Sequence, residues 1–326
     1  MHAVSVITPG GPEVLRPVEL EDPTAGPGNV LIRVAAAGVN RADIGQRQGT
    51  YPPPPGSLSE LPGMEVSGTI EQLGDGVTDW SVGDRVCALL PSGGYASLAV
   101  ASATQLFPVP DSMDLVDAAG LPEALCTVWS NVYLTAGLVA GETLLVHGGS
   151  SGIGTIAIQL ARAMGSLVAT TAGSAAKLDA CRALGADILV NYKTDDFVSA
   201  ILDATEQRGV EVILDAIGGG YLDRNLHALA RHGRLVLIGN QSGEAGSLDV
   251  GALMGKWASI HGSTLRARPV AEKNAIVASV LENVWPLVEA GLVVPVIDRR
   301  FPLAEAGDAH RRMESSEHIG KILLVP

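Results

Sequence analysis

Residues 144–165 read LLVHGGSSGIGTIAIQLARAMG: an apolar run, a glycine-rich turn, then a stretch with helical periodicity. In the last part Ile153, Ile156, Ala157, Leu160, Ala161 and Met164 recur at the i, i+3, i+4, i+7 spacings that a helix needs to lie on a sheet. Gly152, Gly154 and Ala157 spell G-x-G-x-x-A. In that pattern the first glycine permits a tight turn, the second lets backbone approach a pyrophosphate, and the small third residue lets helix and strand pack closely. The phosphate then rests on the first N–H groups of the helix, with Ser151 and Ile153 in the same turn. Alone the motif is weak. Here it follows a strand, opens a helix and begins a series of strand–helix units, which favours a dinucleotide site over a ligand-free turn.

Working outward from residue 123, apolar runs alternate with helix-patterned segments: TLLVH (143–147), SLVATT (166–171), ADILVN (186–191), VEVILDA (210–216) and RLVLIG (234–239). Both faces of these runs are apolar, as in a parallel sheet covered by helices. The chain before them is β-rich, with NVLIRVAA (29–36) and EVSGTIEQL (65–73) set between turns rich in glycine, proline and aspartate. YPPPPG (51–56) should be a stiff, extended surface loop. After residue 266 come helices around 272–290 and 303–314, then a last strand, GKILLVP (320–326). The expected fold class is α/β. A β-rich domain (1–122 and 267–326) accompanies a doubly wound parallel-sheet cofactor domain (123–266).

The second strand–helix turn discriminates between dinucleotides. An NAD site places an Asp or Glu about 20 residues beyond the glycines, on the ribose 2′-hydroxyl. Here that position falls in TTAGSAAK (170–177), which has no acid. Gly173 and Ser174 offer backbone and hydroxyl donors, and Lys177 would attract a 2′-phosphate, so NADPH is expected. The plain alternative is that Lys177 is a solvated helix residue.

The 326 residues are 47% hydrophobic and 17% charged, enough to bury a large core. A net charge of −13 repels nucleic acid and anionic lipid, and no basic patch offsets it. No stretch approaches a membrane span, and there is no leader pattern. Three scattered cysteines, Cys87, Cys126 and Cys181, fit neither a disulfide framework nor a clustered zinc site. A cytoplasmic protein is expected, with no nucleic-acid or membrane partner. His147, His227, His232, His261, His310 and His318 show no metal spacing and are expected mostly at the surface. Ser150-Ser151 lacks the G-x-S-x-G context of a nucleophile, and Cys126 is expected to be a small buried hydrophobe.

Nearly the whole chain resembles the zinc-independent quinone oxidoreductase (zeta-crystallin-like) branch of the medium-chain dehydrogenase/reductases, most of all its tumour-suppressor-inducible subgroup. The stretches that carry the likeness are AAAGVNRADIGQRQGTYPPPPG (35–56), LPGMEVSGTI (61–70), VHGGSSGIGTIAIQLA (146–161), TAGSAAKLDACRALGAD (171–187), NYKTDDF (191–197) and AHRRMESSEHIGKILLVP (309–326). The resemblance implies a GroES-like catalytic domain, a Rossmann domain, NADPH, and a homodimer formed through the Rossmann sheets. Zinc alcohol dehydrogenases carry Cys and His where this chain has Asn40 and Met64, so neither a zinc site nor alcohol oxidation is expected.

The likeness further implies that Asn40 and Tyr51 orient the acceptor and solvate its developing oxyanion. It implies cofactor contacts for Thr127 (nicotinamide-phosphate side), Tyr192 (adenine-ribose phosphate) and Ile238 with Gly239 (at the end of the fifth strand, beneath the nicotinamide). On the residues alone, Asn40 caps a turn, Tyr51 covers apolar surface and Ile238 is core. The expected substrate is a small-molecule quinone or activated alkene. An NADPH:quinone reductase is expected, with an enone, alkenal or enoyl-thioester reductase as the enzymatic alternative. A redox sensor or structural protein that binds NADPH without turnover is the non-catalytic one.

Overall fold

The computed structural model describes residues 1–326, which form two compact units. The first comprises Met1–Cys126, Arg266–Glu289 and Pro295–Pro326, and the second Thr127–Leu265 with Ala290–Val294. No change of texture marks the short return at 290–294. Gln159 holds it, donating to the Val294 carbonyl and accepting from the Val294 N–H, both at 3.0 Å.

In the first unit β1 (His2–Val6) pairs with β2 (Leu15–Glu19). The strands β3 (Asn29–Val39), β4 (Glu65–Leu73), β5 (Arg85–Leu89), β6 (Leu98–Ser102) and β7 (Leu106–Pro108) follow. Val30, Ile32, Ile70, Val86 and Leu106 share one core, each at most 1% exposed. Burying such a side chain stabilises the fold by roughly 1.5–3 kcal/mol. Gly28, Gly76 and Gly83, one in each of the turns 26–28, 74–76 and 82–84, have positive φ.

The second unit is a six-stranded parallel sheet: β8 (Thr143–His147), β9 (Leu167–Ala172), β10 (Ile188–Asn191), β11 (Val210–Asp215), β12 (Leu229–Leu237) and β13 (Ser259–Gly262). The spatial order is β10-β9-β8-β11-β12-β13. Counted within the unit this is 3-2-1-4-5-6, the doubly wound Rossmann order. Leu144, Leu145, Val212, Ile213, Leu235 and Val236 are fully buried, which explains why these strands read as unbroken apolar runs. The fifth strand stops at Leu237, so Ile238 and Gly239 lie in the following loop instead of ending the strand. Ile238 is only half-buried, which removes the simple core reading for it.

The chain then returns to the first unit with β14 (Ile297–Pro302) and β15 (Lys321–Val325). They complete a seven-stranded sheet ordered β14-β15-β3-β4-β5-β7, with β6 also on β3. Register fixes what meets at one end of it. Ile322 lies opposite Val39 and Ala37 opposite Val66, so Asn40, Glu65 and Lys321 emerge side by side.

Candidate active site

At that sheet end the Lys321 ammonium bonds the Glu65 carboxylate and donates to Asn40 Oδ1 (2.8 Å). Asn40 Nδ2 donates to Glu65 Oε1 (2.9 Å), and the Glu123 N–H to Glu65 Oε2 (2.9 Å). Glu65 is fully buried, Lys321 3% exposed and Asn40 9%. Gly38 permits the arrangement, since a Cβ there would come 2.2 Å from Glu65 Oε1. Asn40 therefore does more than cap: its amide is held at both ends by a buried ion pair. Its backbone N–H donates to Asp43 (2.8 Å) at the start of the helix Arg41–Arg47.

Asp43 is fully buried and also accepts from Gly63 N (3.0 Å) and Tyr95 Oη (3.2 Å). Burial pushes its carboxyl up to about 6, against the pull of the Asn40 and Gly63 N–H groups and of Arg266 and Lys321. Tyr51 follows that helix, with its N–H on the Gly45 carbonyl (3.1 Å) and the Arg266 guanidinium 5.7 Å from its ring centroid. The family resemblance named Asn40 and Tyr51. It gave no sign of Lys321 or Arg266, which reach this region only through the fold.

In the second unit the glycine turn divides its labour differently from the motif. The tight turn is made by Gly148, at φ +73°, whereas Gly152 is already the first residue of the helix Gly152–Ala163. A Cβ on Gly154 would lie 2.4 Å from the Gly148 carbonyl oxygen, so the close approach that needs this glycine is to its own turn. Ser151 caps the helix, its Oγ accepting from Gly154 N (3.0 Å). That leaves the N–H groups of Gly152 and Ile153 without intrahelical partners, pointing out of the helix start. The helix dipole adds partial positive charge there.

At the next turn Ser174 caps the helix Ala175–Ala183 and accepts from Lys177 N (3.4 Å). Tyr192, directly after β10, brings its hydroxyl to 2.6 Å from where a Gly173 Cβ would stand. Gly173, Ser174, Lys177 and Tyr192 thus gather at one corner, and β9 ends in Thr170-Thr171-Ala172 with no carboxylate. At the last residue of β11, Asp215 accepts from Ile217 N (2.6 Å), Gly218 N (3.1 Å) and Asn225 Nδ2 (2.9 Å). Ile238 N donates to the Asp215 carbonyl (2.8 Å), tying the start of the loop after β12 to the last residue of β11. All these turns sit at the carboxyl ends of the parallel strands, around the point between β8 and β11 where strand order reverses. Thr127 is buried at the end of the helix Pro122–Val128, its carbonyl accepting from Asn131 Nδ2 (2.8 Å).

Three histidines expected at the surface are buried: His147, His310 and His318. His147 bridges Thr171 Oγ1 (3.1 Å) and Asn225 Oδ1 (2.7 Å), and burial lowers its pKa. His310 meets Tyr95 Oη at 3.0 Å and Arg47 at 3.4 Å. Burial and then that guanidinium bring it down to about 3. Neither takes part in a metal cluster. Cys126, with the other two thiols, is free and buried.

The residues at the zinc position do not fit zinc. Met64 is buried and Glu65 already carries the Lys321 ammonium, so a dication there would meet a fixed positive charge. No group of three or more His, Cys, Asp or Glu side chains in the chain could hold a metal ion.

Residues 26–111 match the family model described as "Alcohol dehydrogenase GroES-like domain", and residues 184–324 that described as "Zinc-binding dehydrogenase". The quinone oxidoreductase of Rattus norvegicus is 34% identical, the match covering 100% of this chain and 98% of that protein. A 2-haloacrylate reductase from a Burkholderia species is 33% identical over 97% of this chain and 96% of its own. Among solved structures, an NAD-dependent alcohol dehydrogenase superposes with a TM-score of 0.90 at 30% identity. Escherichia coli quinone oxidoreductase complexed with NADPH superposes with a TM-score of 0.88 at 28% identity, and both matches cover 100% of each chain. With relatives of this similarity along its whole length, the chain belongs to the zinc-independent, quinone-oxidoreductase-like branch of the medium-chain dehydrogenase/reductase superfamily.

Proposed function

We propose that this protein is an NADPH:quinone oxidoreductase working without a metal. The observation that carries the cofactor is the corner of Gly173, Ser174, Lys177 and Tyr192 beside a β9 that ends without an acid. A 2′-phosphate gains a cation there and meets no repelling carboxylate, while the N–H groups of Gly152 and Ile153 suit the pyrophosphate. NADPH, when bound, supplies hydride. The protein's own part is to orient the acceptor and to solvate the oxygen on which charge develops. In the first unit Asn40, held by Glu65 and Lys321, and Tyr51, beside Arg266, are the groups we assign to that task. Thr127, Ile238 and Gly239 are assigned to the nicotinamide side, on the resemblance alone.

Replacing Lys177 with Ala tests the cofactor reading. The KM for NADPH should rise about tenfold, a loss of roughly 1.4 kcal/mol, with NADH nearly unaffected. Equal effects on the two cofactors would refute it. A second reading, reduction of an activated C=C bond, is favoured by the similarity to the 2-haloacrylate reductase. The same metal-free hydride chemistry serves both acceptors.

We assign the protein to the cytoplasm, which its three free thiols suit. No helix is long and apolar enough to cross a membrane. We also assign it a homodimer through the edge strand β13, near which Val250, Met254 and Trp257 are 58%, 69% and 63% exposed. Sedimentation at twice the 33.5 kDa chain mass would support that, and sedimentation as a monomer would contradict it.

A further inference from the structure

Behind the coenzyme turns of the second unit runs a line of buried hydrogen bonds with a fixed direction. His147 is the last residue of β8, 5% exposed, with its ring edge-on to Phe197 (4.8 Å between centroids) and Tyr221 (5.0 Å). Its two nitrogens meet Thr171 Oγ1, near the end of β9, and Asn225 Oδ1, on the helix Leu222–Ala228. Asn225 Nδ2 is the atom that faces Asp215, because a carboxylate only accepts, so Asn225 turns its carbonyl oxygen to the ring. Nε2 therefore carries the ring proton, and Nδ1 is left to accept from the Thr171 hydroxyl. Thr171 in turn accepts from the glycine turn. Gly148 N and Gly149 N reach its carbonyl (3.1 Å each), and Gly148 N also reaches its Oγ1 (3.3 Å). At the other end Asp215 holds the Ile217 and Gly218 N–H groups.

The line runs unbroken from the turn after β8 to the loop after β11, the two sides of the point where strand order reverses. A dinucleotide lies in the crevice at such a point. Only a neutral imidazole, with a donor and an acceptor at opposite ends of a rigid ring, closes the line. Burial lowers the His147 pKa and favours that form, with the Arg224 guanidinium acting the same way and Asp215 and Asn225 opposing it. We propose that His147 is a positioning residue for the coenzyme: as the Nε2–H imidazole it sets the separation of the glycine turn and the loop after β11 at which a dinucleotide fits. The proposal rests on the dinucleotide-binding part of the function proposed above.

Two variants cut the line at different places. His147→Gln keeps a donor near the Nε2 position and loses the Thr171 bond, whereas His147→Asn keeps an acceptor near the Nδ1 position and loses the Asn225 bond. Fluorescence titration should show the Kd for NADPH raised at least tenfold in each, because neither side chain pre-organises both loops. Adenosine 2′-monophosphate reads the corner of Gly173, Ser174, Lys177 and Tyr192 alone, and its Kd should stay within threefold of wild type. A fold merely weakened by the substitution would lose both ligands by the same factor, and that result overturns the proposal. So does NADPH affinity within threefold of wild type in either variant. Nitrogen-15 spectra of the wild type should show the ring proton of His147 on Nε2 alone, and a proton on Nδ1 overturns the proposal as well.

Parallel titration with NADH separates this claim from the cofactor reading. A wild type that binds NADH more tightly than NADPH, with NADH affinity falling tenfold in the same two variants, would overturn the NADPH reading and keep the role of His147. A wild type that binds neither dinucleotide would overturn both.

Discussion

Removing either partner of the Glu65–Lys321 pair should destabilise the protein far more than removing both. Lys321→Met leaves a fully buried Glu65 carboxylate with only the Asn40 amide and the Glu123 N–H, and strips Asn40 Oδ1 of its donor. Glu65→Gln leaves the Lys321 ammonium buried without a charge to meet. Breaking a buried pair on one side costs about 3–5 kcal/mol, whereas replacing both partners with uncharged groups of similar size is near neutral or stabilising. At ~2–4 °C per kcal/mol for a domain of 150–250 residues, each single variant should lose roughly 6–20 °C in Tm. The double variant should recover most of that loss. Differential scanning calorimetry on the four proteins reads the cycle directly. Equal and additive losses, with the double variant the least stable, would refute the view that this is a desolvated pair whose members are costly only when alone.

Two further outcomes follow from the same structure. His310 is held neutral, its pKa taken from 6.5 to about 3, so the unfolded chain binds the extra proton more readily. Its contribution is complete above pH 6.5 and is lost as pH falls toward 3, up to about 5 kcal/mol. Denaturant titrations of wild type and His310→Gln between pH 7 and 4 should show the wild type losing stability more steeply, and parallel curves would count against it. Gly154→Ala would set a Cβ 2.4 Å from the Gly148 carbonyl oxygen, forcing the turn and the helix start apart. NADPH affinity measured by fluorescence titration should fall at least tenfold, and retained affinity would show that the turn can shift without consequence.

What could be read from the sequence was local. The turn at 148–154, the apolar strands and the acid-free end of β9 are written in adjacent residues whose periodicity survives without neighbours. The same residues hid one detail. Which glycine takes positive φ depends on where the helix begins, so Gly148 makes the turn that the motif assigns to Gly152. The Glu65–Lys321 pair joins positions 256 apart in the chain and depends on the registers of β3 with β4 and with β15. Nothing in GKILLVP distinguishes that lysine from a solvated strand end. His147 and His310 likewise look like surface residues until their partners, Asn225 and Tyr95, are brought up from distant segments.

The central claim is metal-free reduction of a quinone at the expense of NADPH. The most direct test follows oxidation of NADPH and NADH in parallel with an ortho-quinone, a para-quinone and a simple enone, with a metal chelator present throughout. The account predicts quinone turnover that prefers NADPH and survives the chelator. Enone turnover without quinone turnover would move the assignment to the alkene reductase. Tight NADPH binding with no turnover of any acceptor would contradict the account.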